Sequence, residues 1–95
     1  MIRHVLLVRC NRDATPERID EIRARLAGLD CPGRTRFTMG TDLGLRPGNM
    51  DFAMVADFAD VEAFAAYERD AEHDVIRREL VAPIAERSER CQFEL

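Results

Sequence analysis

The chain has no lysine and no tryptophan, and it has one tyrosine and two histidines in 95 residues. All fourteen basic residues are therefore arginine, and the formal net charge is −4. Nucleic-acid-binding proteins usually have a basic balance with aromatic side chains among the basic residues. Because this chain is acidic and only 6% aromatic, we expect no nucleic-acid partner.

Long apolar runs and paired cysteines are also absent. The run Val5 to Val8, like every other apolar run in the chain, is far shorter than the roughly 20 residues of a membrane span. The first residues lead into a strand pattern, not a signal peptide. Cys10, Cys31 and Cys91 include no C-x-x-C pair, which favours free thiols in the cytoplasm. The short apolar runs predict no membrane contact. Because the sequence has no zinc-ligand spacing and no phosphate-binding loop, we expect no metal and no cofactor.

Residues 2–10 alternate as a β-strand that is apolar on both faces. One face carries Ile2, His4, Leu6, Val8 and Cys10, and the other carries Val5 and Leu7 between arginines. A strand that is apolar on both sides should be covered on both sides. The chain's own helices can supply one cover. A second subunit is the simplest source of the other, which predicts a homodimer through sheet faces.

The remaining patterns predict one domain, residues 1–95, with the order β-α-β-β-α(α)-β. Thr15-Pro16 begins a helix that ends near Gly28, and Asp60 and Asp70 are predicted N-caps of later helices. Further strands are predicted at 35–40, 50–58 and 89–95, with a loop at 41–49. This order predicts a ferredoxin-like α+β fold, a four-stranded antiparallel sheet with helices on one face. The methionines and phenylalanines at strand spacing are predicted to be core: Met39, Met50, Met54, Phe37, Phe52 and Phe58.

The only tyrosine and one of the two histidines, Tyr67 and His73, lie six residues apart. On an unbroken helix, this spacing would hold their side chains about 120° apart. Asp70, between them, is a good N-cap residue and predicts a break that begins a new helix. The break would allow both side chains to point into one cleft.

Several short motifs together resemble the stress-responsive dimeric α/β-barrel (Dabb) family. They are Met1 to Val5 with its I-x-H start, the strand from Met50 to Phe58 and the Val61 helix after it, Tyr67 and His73 of a Y-x-x-H-P-x-H signature, Pro83, and the strand from Cys91 to Glu94. Asp70 and Ala71 stand where that signature has its first histidine and its proline. Both residues still suit a helix start.

The resemblance implies a barrel-forming homodimer with a pocket between sheet and helices in each protomer. Enzymes of the family include polyketide cyclases of the olivetolic acid cyclase type. In those enzymes a tyrosine and a histidine at positions matching Tyr67 and His73 catalyse an aldol ring closure without metal or organic cofactor.

The chemistry assigned to this chain follows from what an aldol closure requires, a base for a carbon acid and a donor for the developing oxyanion. We expect His73 to be the base, Tyr67 the oxygen donor, and His4 a third member that orients substrate. The alternative is structural. A histidine at a helix start often caps backbone groups, and a lone tyrosine or a strand histidine is often core.

Two other functions remain open. The first is a non-catalytic dimer that binds a small apolar or aromatic ligand or serves in a stress response. The second is a small cofactor-free monooxygenase of a related dimeric ferredoxin-like family, acting on quinol-type or haem substrates. The lack of tryptophan and the loop positions of Asn11 and Asn49 weaken that second alternative.

Overall fold

Antiparallel pairing around the first strand organises the structure, a computed structural model that describes residues 1–95. Strand β1 (Ile2–Cys10) is central. It pairs with β3 (Phe52–Phe58) on one side and β4 (Ala85–Glu94) on the other. Strand β2 (Arg34–Thr41) pairs with the far edge of β3. The sheet order is β2-β3-β1-β4, which is the expected ferredoxin-like α+β fold.

Helices α1 (Pro16–Ala27), α2 (Val61–Glu68) and α3 (Ala71–Ile76) begin at the predicted N-caps. The Thr15 hydroxyl accepts a hydrogen bond from the Arg18 amide, and the carboxylates of Asp60 and Asp70 accept from the amides three residues later. Each cap satisfies a backbone donor that the first helical turn leaves free. No helix of the protein is long and apolar enough to cross a membrane.

After α3 the chain does not continue as one α-helix. Residues Arg77–Val81 form a π-helical segment, and Ala82–Ile84 form a 3₁₀ turn that contains Pro83. The amide of Ala82 donates to the carbonyl of Arg77, five residues earlier. Such π turns are rare and occur often at functional sites.

The core lies between the sheet and the helices. The predicted core side chains Phe52, Met54 and Phe58 are almost completely buried. Met39 is also buried, and Phe37 packs against the cluster. Met50 precedes β3 and lies outside the buried set.

No helix of this chain covers the opposite face of the sheet. Leu7 is 38% exposed and Phe93 is 43% exposed. Phe93 pairs with Arg3, so it shares a face with Val5 and Leu7, two and four residues along β1. We call this surface the open face. Val5 and Leu7, which the sequence predicts to need a cover, therefore lie on the open face, and no helix of this chain packs against it.

Two strands begin at least two residues from the predicted position, whereas the other strand ends agree within one residue. β4 begins at Ala85 rather than residue 89, because residues 85–90 join the sheet through backbone pairing although their side chains are mostly polar and exposed. β3 begins at Phe52 rather than Met50. Asp51 leaves the strand pattern, since its amide donates to the Val8 carbonyl and its carboxylate accepts from the Cys10 amide.

Candidate functional site

A cavity of about 160 Å³ lies between the helix-facing side of the sheet and the α3 region, and it is lined by His4, Tyr67 and His73. All three predicted site residues thus meet in one place. Leu6, Met54 and other apolar side chains form much of its wall. The three side chains come from separate elements, β1, α2 and α3. Tyr67 and His73 are near each other in sequence, whereas the fold brings His4 to them.

Tyr67 and His73 converge because the helix breaks at Asp70. The side chain of Asp70 holds the His73 amide at 2.8 Å and starts α3 in a new direction. The Tyr67 and His73 rings then stack, with centroids 4.0 Å apart and planes inclined by 22°. Both residues are buried, as the predicted break allows.

One hydrogen bond determines which nitrogen of His73 can act as a base. Its Nδ1 lies 2.9 Å from the backbone carbonyl oxygen of Tyr67. A carbonyl only accepts, so Nδ1 carries the hydrogen and Nε2 of the neutral ring keeps a free lone pair. Burial lowers the pKa of His73 below 6.5, and the hydrogen bond to the Tyr67 carbonyl only partly opposes this effect. The ring is therefore neutral at pH 7.

The carboxylates beside His73 in sequence make no hydrogen bond to its ring. Glu72 accepts a hydrogen bond from Arg25 at 2.6 Å, and Asp74 accepts from Arg77 and Arg78. Both acidic side chains are thus engaged with arginines. The imidazole is held by the Tyr67 carbonyl, and the Asp70 cap holds the backbone amide of His73.

The Tyr67 hydroxyl is a protonated donor without a partner. Burial, the largest cause, raises the pKa of Tyr67 well above its ordinary value of 10.0, so the phenol keeps its hydrogen at neutral pH. No side-chain hydrogen bond of the chain uses this hydroxyl. Arg23 Nε is the only side-chain polar atom that is both fully buried and unpaired, so the Tyr67 oxygen is not fully buried. Tyr67 lines the cavity and also a second, smaller pocket beside Cys31 and Asp70.

His4 is held by Gln92, a residue that the sequence did not single out. The Gln92 amide nitrogen donates to His4 Nδ1 at 2.9 Å, which leaves the hydrogen of neutral His4 on Nε2. Burial lowers the pKa of His4 below 6.5. The two residues are partners in the β1–β4 register. The only sequence signal is that Gln92 is a polar residue between apolar neighbours on the last strand.

Charged groups complete the lining: Glu68, Arg77 and Arg90, with the hydroxyl-bearing Ser88 beside them. Arg77 bonds to Asp74 at 3.0 Å and lies 3.9 Å from Glu68. These groups were also missed at the sequence level, because charged residues on a helix or an edge strand usually face solvent.

The other residues considered from the sequence lie elsewhere. Asn11 donates to the Pro83 carbonyl and Asn49 to Asp42, and neither lines the cavity. Burial raises the pKa of the Cys10 and Cys31 thiols, which disfavours the nucleophilic thiolate. No three His, Cys, Asp or Glu side chains are grouped so that they could hold a metal ion.

Comparison with known proteins places this fold and cavity in a family. The sequence profile of the Dabb family, described as the stress responsive A/B barrel domain, matches residues 2–94. A crystal structure from Thermobifida fusca, described as a dimeric ferredoxin-like protein of unknown function, is 34% identical, with a TM-score of 0.89 over 99% of this chain and 90% of that one. No curated protein matches the sequence.

Two enzymes have similar structures. A hydroxynitrile lyase from Passiflora edulis is 22% identical, with a TM-score of 0.85 over 99% of this chain and 92% of that one. A cofactor-independent oxygenase from Streptomyces nogalater is 18% identical, with a TM-score of 0.75 over 99% of this chain and 91% of that one. At these identities the likeness concerns the fold, whereas the profile match covers nearly the whole chain. The chain belongs to the Dabb family of stress-responsive A/B barrel domains.

Proposed function

We propose that the cavity is the active site of a cofactor-free cyclase or lyase that acts on a small carbonyl compound. The observation that carries the proposal is the combination, in one cavity, of a base nitrogen on His73 and an unpartnered hydroxyl on Tyr67. His4, held by Gln92, presents an Nε2 hydrogen as a second donor. A base, an oxyanion donor and an orienting donor are the groups that enolate chemistry requires.

The proposed step is proton transfer followed by carbon–carbon bond formation. His73 Nε2 removes a proton from the carbon beside a carbonyl, and the C–H electron pair moves toward the carbonyl oxygen. The Tyr67 hydroxyl donates a hydrogen bond to the enolate oxygen that forms. The enolate carbon attacks a second carbonyl, and the resulting alkoxide takes back the proton from His73. A lyase uses the same steps in reverse, and neither direction changes the oxidation state.

The composition restricts the route, because imine formation requires a primary amine. The chain has no lysine. The Met1 amine pairs with Glu94 at 3.3 Å and does not line the cavity. The reaction therefore proceeds through an enolate and not through an enamine on the protein.

The cavity volume restricts the substrate. A volume of about 160 Å³ is close to the roughly 150 Å³ of an engineered apolar cavity that binds benzene. The substrate part that enters the protomer is thus about the size of one substituted ring. This size favours a compact aromatic or cyclic carbonyl compound over a long chain.

Deuterium exchange tests the base role without knowledge of the natural substrate. Benzyl methyl ketone in D₂O, followed by NMR, should exchange its benzylic hydrogens faster with the protein than in buffer. His73→Gln should slow this exchange at least about 100-fold, and Tyr67→Phe about 100-fold. Arg12→Gln is the control, since Arg12 is exposed and does not line the cavity.

The two alternatives give different results. A non-catalytic binding protein would bind the ketone and leave the exchange rate at that of buffer. A monooxygenase would consume oxygen when it is given a quinol probe. If the oxygenation required no base, the His73→Gln variant would retain this activity.

We also propose that two protomers join through the open face. The exposed apolar side chains there support this, together with the dimeric description of the T. fusca protein. Light scattering should give twice the chain mass of 10.9 kDa. Leu7→Glu should shift the mass toward the monomer, and a monomeric wild type would contradict the proposal.

A further inference from the structure

Arg90 is the one cavity arginine without a partner. It pairs in register with Leu6, so its side chain lies on the helix-facing side of β4, and it lines the cavity. The other arginine of the lining, Arg77, is engaged by Asp74 and Glu68. None of the chain's ion pairs or side-chain hydrogen bonds involves Arg90.

We propose that Arg90, with Ser88, forms an anion subsite, and that the substrate carries a carboxylate group remote from its reacting carbonyl. The inference rests on the proposed function, since it assigns the anionic end of the same substrate to the same cavity. Arg90 would hold the carboxylate through two parallel hydrogen bonds, the arrangement that a planar guanidinium favours.

The charges around the cavity select an anion. Glu68 and Arg77 offset each other, and both histidines are neutral at pH 7 because burial lowers their pKa. Arg90 is then the remaining charge of the lining, a cation in a chain whose net charge is −4. An anion in the cavity therefore meets local attraction on a protein that is acidic overall.

The geometry of β4 places the subsite beside the catalytic groups. Ser88, Arg90 and Gln92 alternate along one face of the strand and are about 7 Å apart in succession. Gln92 holds His4, while Ser88 and Arg90 have free donors. A single-ring compound with a carboxylate at Arg90 thus directs its other end toward Tyr67 and His73, which line the same cavity.

The test compares two single-ring probes that differ in charge, benzoate and benzamide. Binding is followed through the imidazole nitrogen NMR signals, which come only from His4 and His73. Wild type should bind benzoate about tenfold more tightly than benzamide. Arg90→Gln should remove this preference and keep the benzamide affinity, which also shows that the variant is folded. Arg12→Gln, exposed and outside the cavity, should behave as wild type.

Three results would overturn the subsite: equal affinity of wild type for both probes, an unchanged benzoate preference in Arg90→Gln, or no saturable shift of either histidine with benzoate. Failure of the proposed function looks different. A protein that prefers benzoate through Arg90 but does not accelerate deuterium exchange retains the subsite and loses the catalytic role. A protein that accelerates exchange but shows no charge preference loses only the subsite.

Discussion

Arg3 and Asp57 form a bidentate ion pair on the open face. Nε and Nη2 of Arg3 donate to the two carboxylate oxygens at 2.8 Å each. They are register partners on β1 and β3. The Arg3 guanidinium holds the pKa of Asp57 below its usual 3.8. The pair therefore ties the two central strands together on the face where the sheet has no cover.

Asp57→Asn should lower the melting temperature at pH 7, because it leaves Arg3 without its carboxylate. A carboxyl with a lowered pKa stabilises the fold above its unfolded value and loses this effect as the pH falls through the folded value. The difference between wild type and variant should therefore shrink below about pH 4. Asp20→Asn, which breaks an exposed pair with Arg23 on helix α1, is the control and should change little.

The two histidines predict a second pH dependence. Burial lowers the pKa of both below 6.5, so the unfolded chain takes up protons before the folded one. Stability should be fully present above about pH 6.5 and fall as the pH decreases below it.

Urea unfolding from pH 8 to 5 measures this effect. His73→Gln should flatten the slope of unfolding free energy against pH. A slope in the variant equal to that of wild type would show that His73 contributes none of it. His4 accounts for the slope that remains.

Tyr67 gives a direct optical measurement. It is the only tyrosine in a chain without tryptophan, so tyrosinate absorbance reports this residue alone. Burial raises its pKa above 10.0, and the folded protein should show no tyrosinate at pH 10. In urea the same phenol should ionise near its ordinary value. Half-ionisation near pH 10 in the folded protein would mean that the phenol is solvated.

The Asp70 cap should be measurable against a matched cap in the same chain. Asp70→Ala removes the side-chain acceptor of the His73 amide, and Asp60→Ala removes the equivalent acceptor of the Ala63 amide. Each should cost about 1 kcal/mol of unfolding free energy. Only Asp70→Ala should also move the His73 imidazole signals, because only that cap fixes the ring over Tyr67.

Ala71→Pro should stabilise the fold by about 0.5 kcal/mol, because proline suits the first helical position and restricts the unfolded chain. Ala71 is the first residue of α3. The measurement is urea unfolding against wild type. A loss of stability would show that the backbone at residue 71 does not accept a proline ring.

Alanine substitutions at Gly33 and Gly44 distinguish the cost of steric overlap from the cost of backbone strain. Both Gly33 and Gly44 have positive φ angles, of 90° and 73°, where a side chain costs about 1–2 kcal/mol. A Cβ at Gly33 would also lie 2.6 Å from the Cβ of Ala63, whereas nothing lies within 4 Å at Gly44. Gly33→Ala should therefore destabilise the protein by about 1–3 kcal/mol more than Gly44→Ala. It should also change Tyr67 fluorescence, since Ala63 and Tyr67 share helix α2. Equal losses in both variants would contradict the overlap.

The sequence predicted those parts of the fold that depend on local chemistry. The caps at Thr15, Asp60 and Asp70 follow from side chains that bond backbone three residues away, and alternation revealed β1. The early start of β4 was missed, since an edge strand held by backbone pairing needs no apolar pattern. The site residues show the same contrast between local contacts, which the sequence predicts, and contacts that depend on the fold. Tyr67 and His73 are close in sequence, whereas Gln92 reaches His4 only through strand register, which composition does not encode.

The π-helical segment Arg77–Val81 supplies part of the cavity wall, including Arg77 and Val81 themselves. A π turn holds one more residue than an α turn. Deletion of one residue there would restore α spacing. Five residues at π spacing and four at α spacing turn through nearly the same angle, so the residues that follow would keep their orientation while the wall loses one side chain. The shape of the wall thus depends on a count of residues as well as on their identity. In relatives, a one-residue change in the length of this turn would alter which substrate sizes fit without any substitution in the cavity.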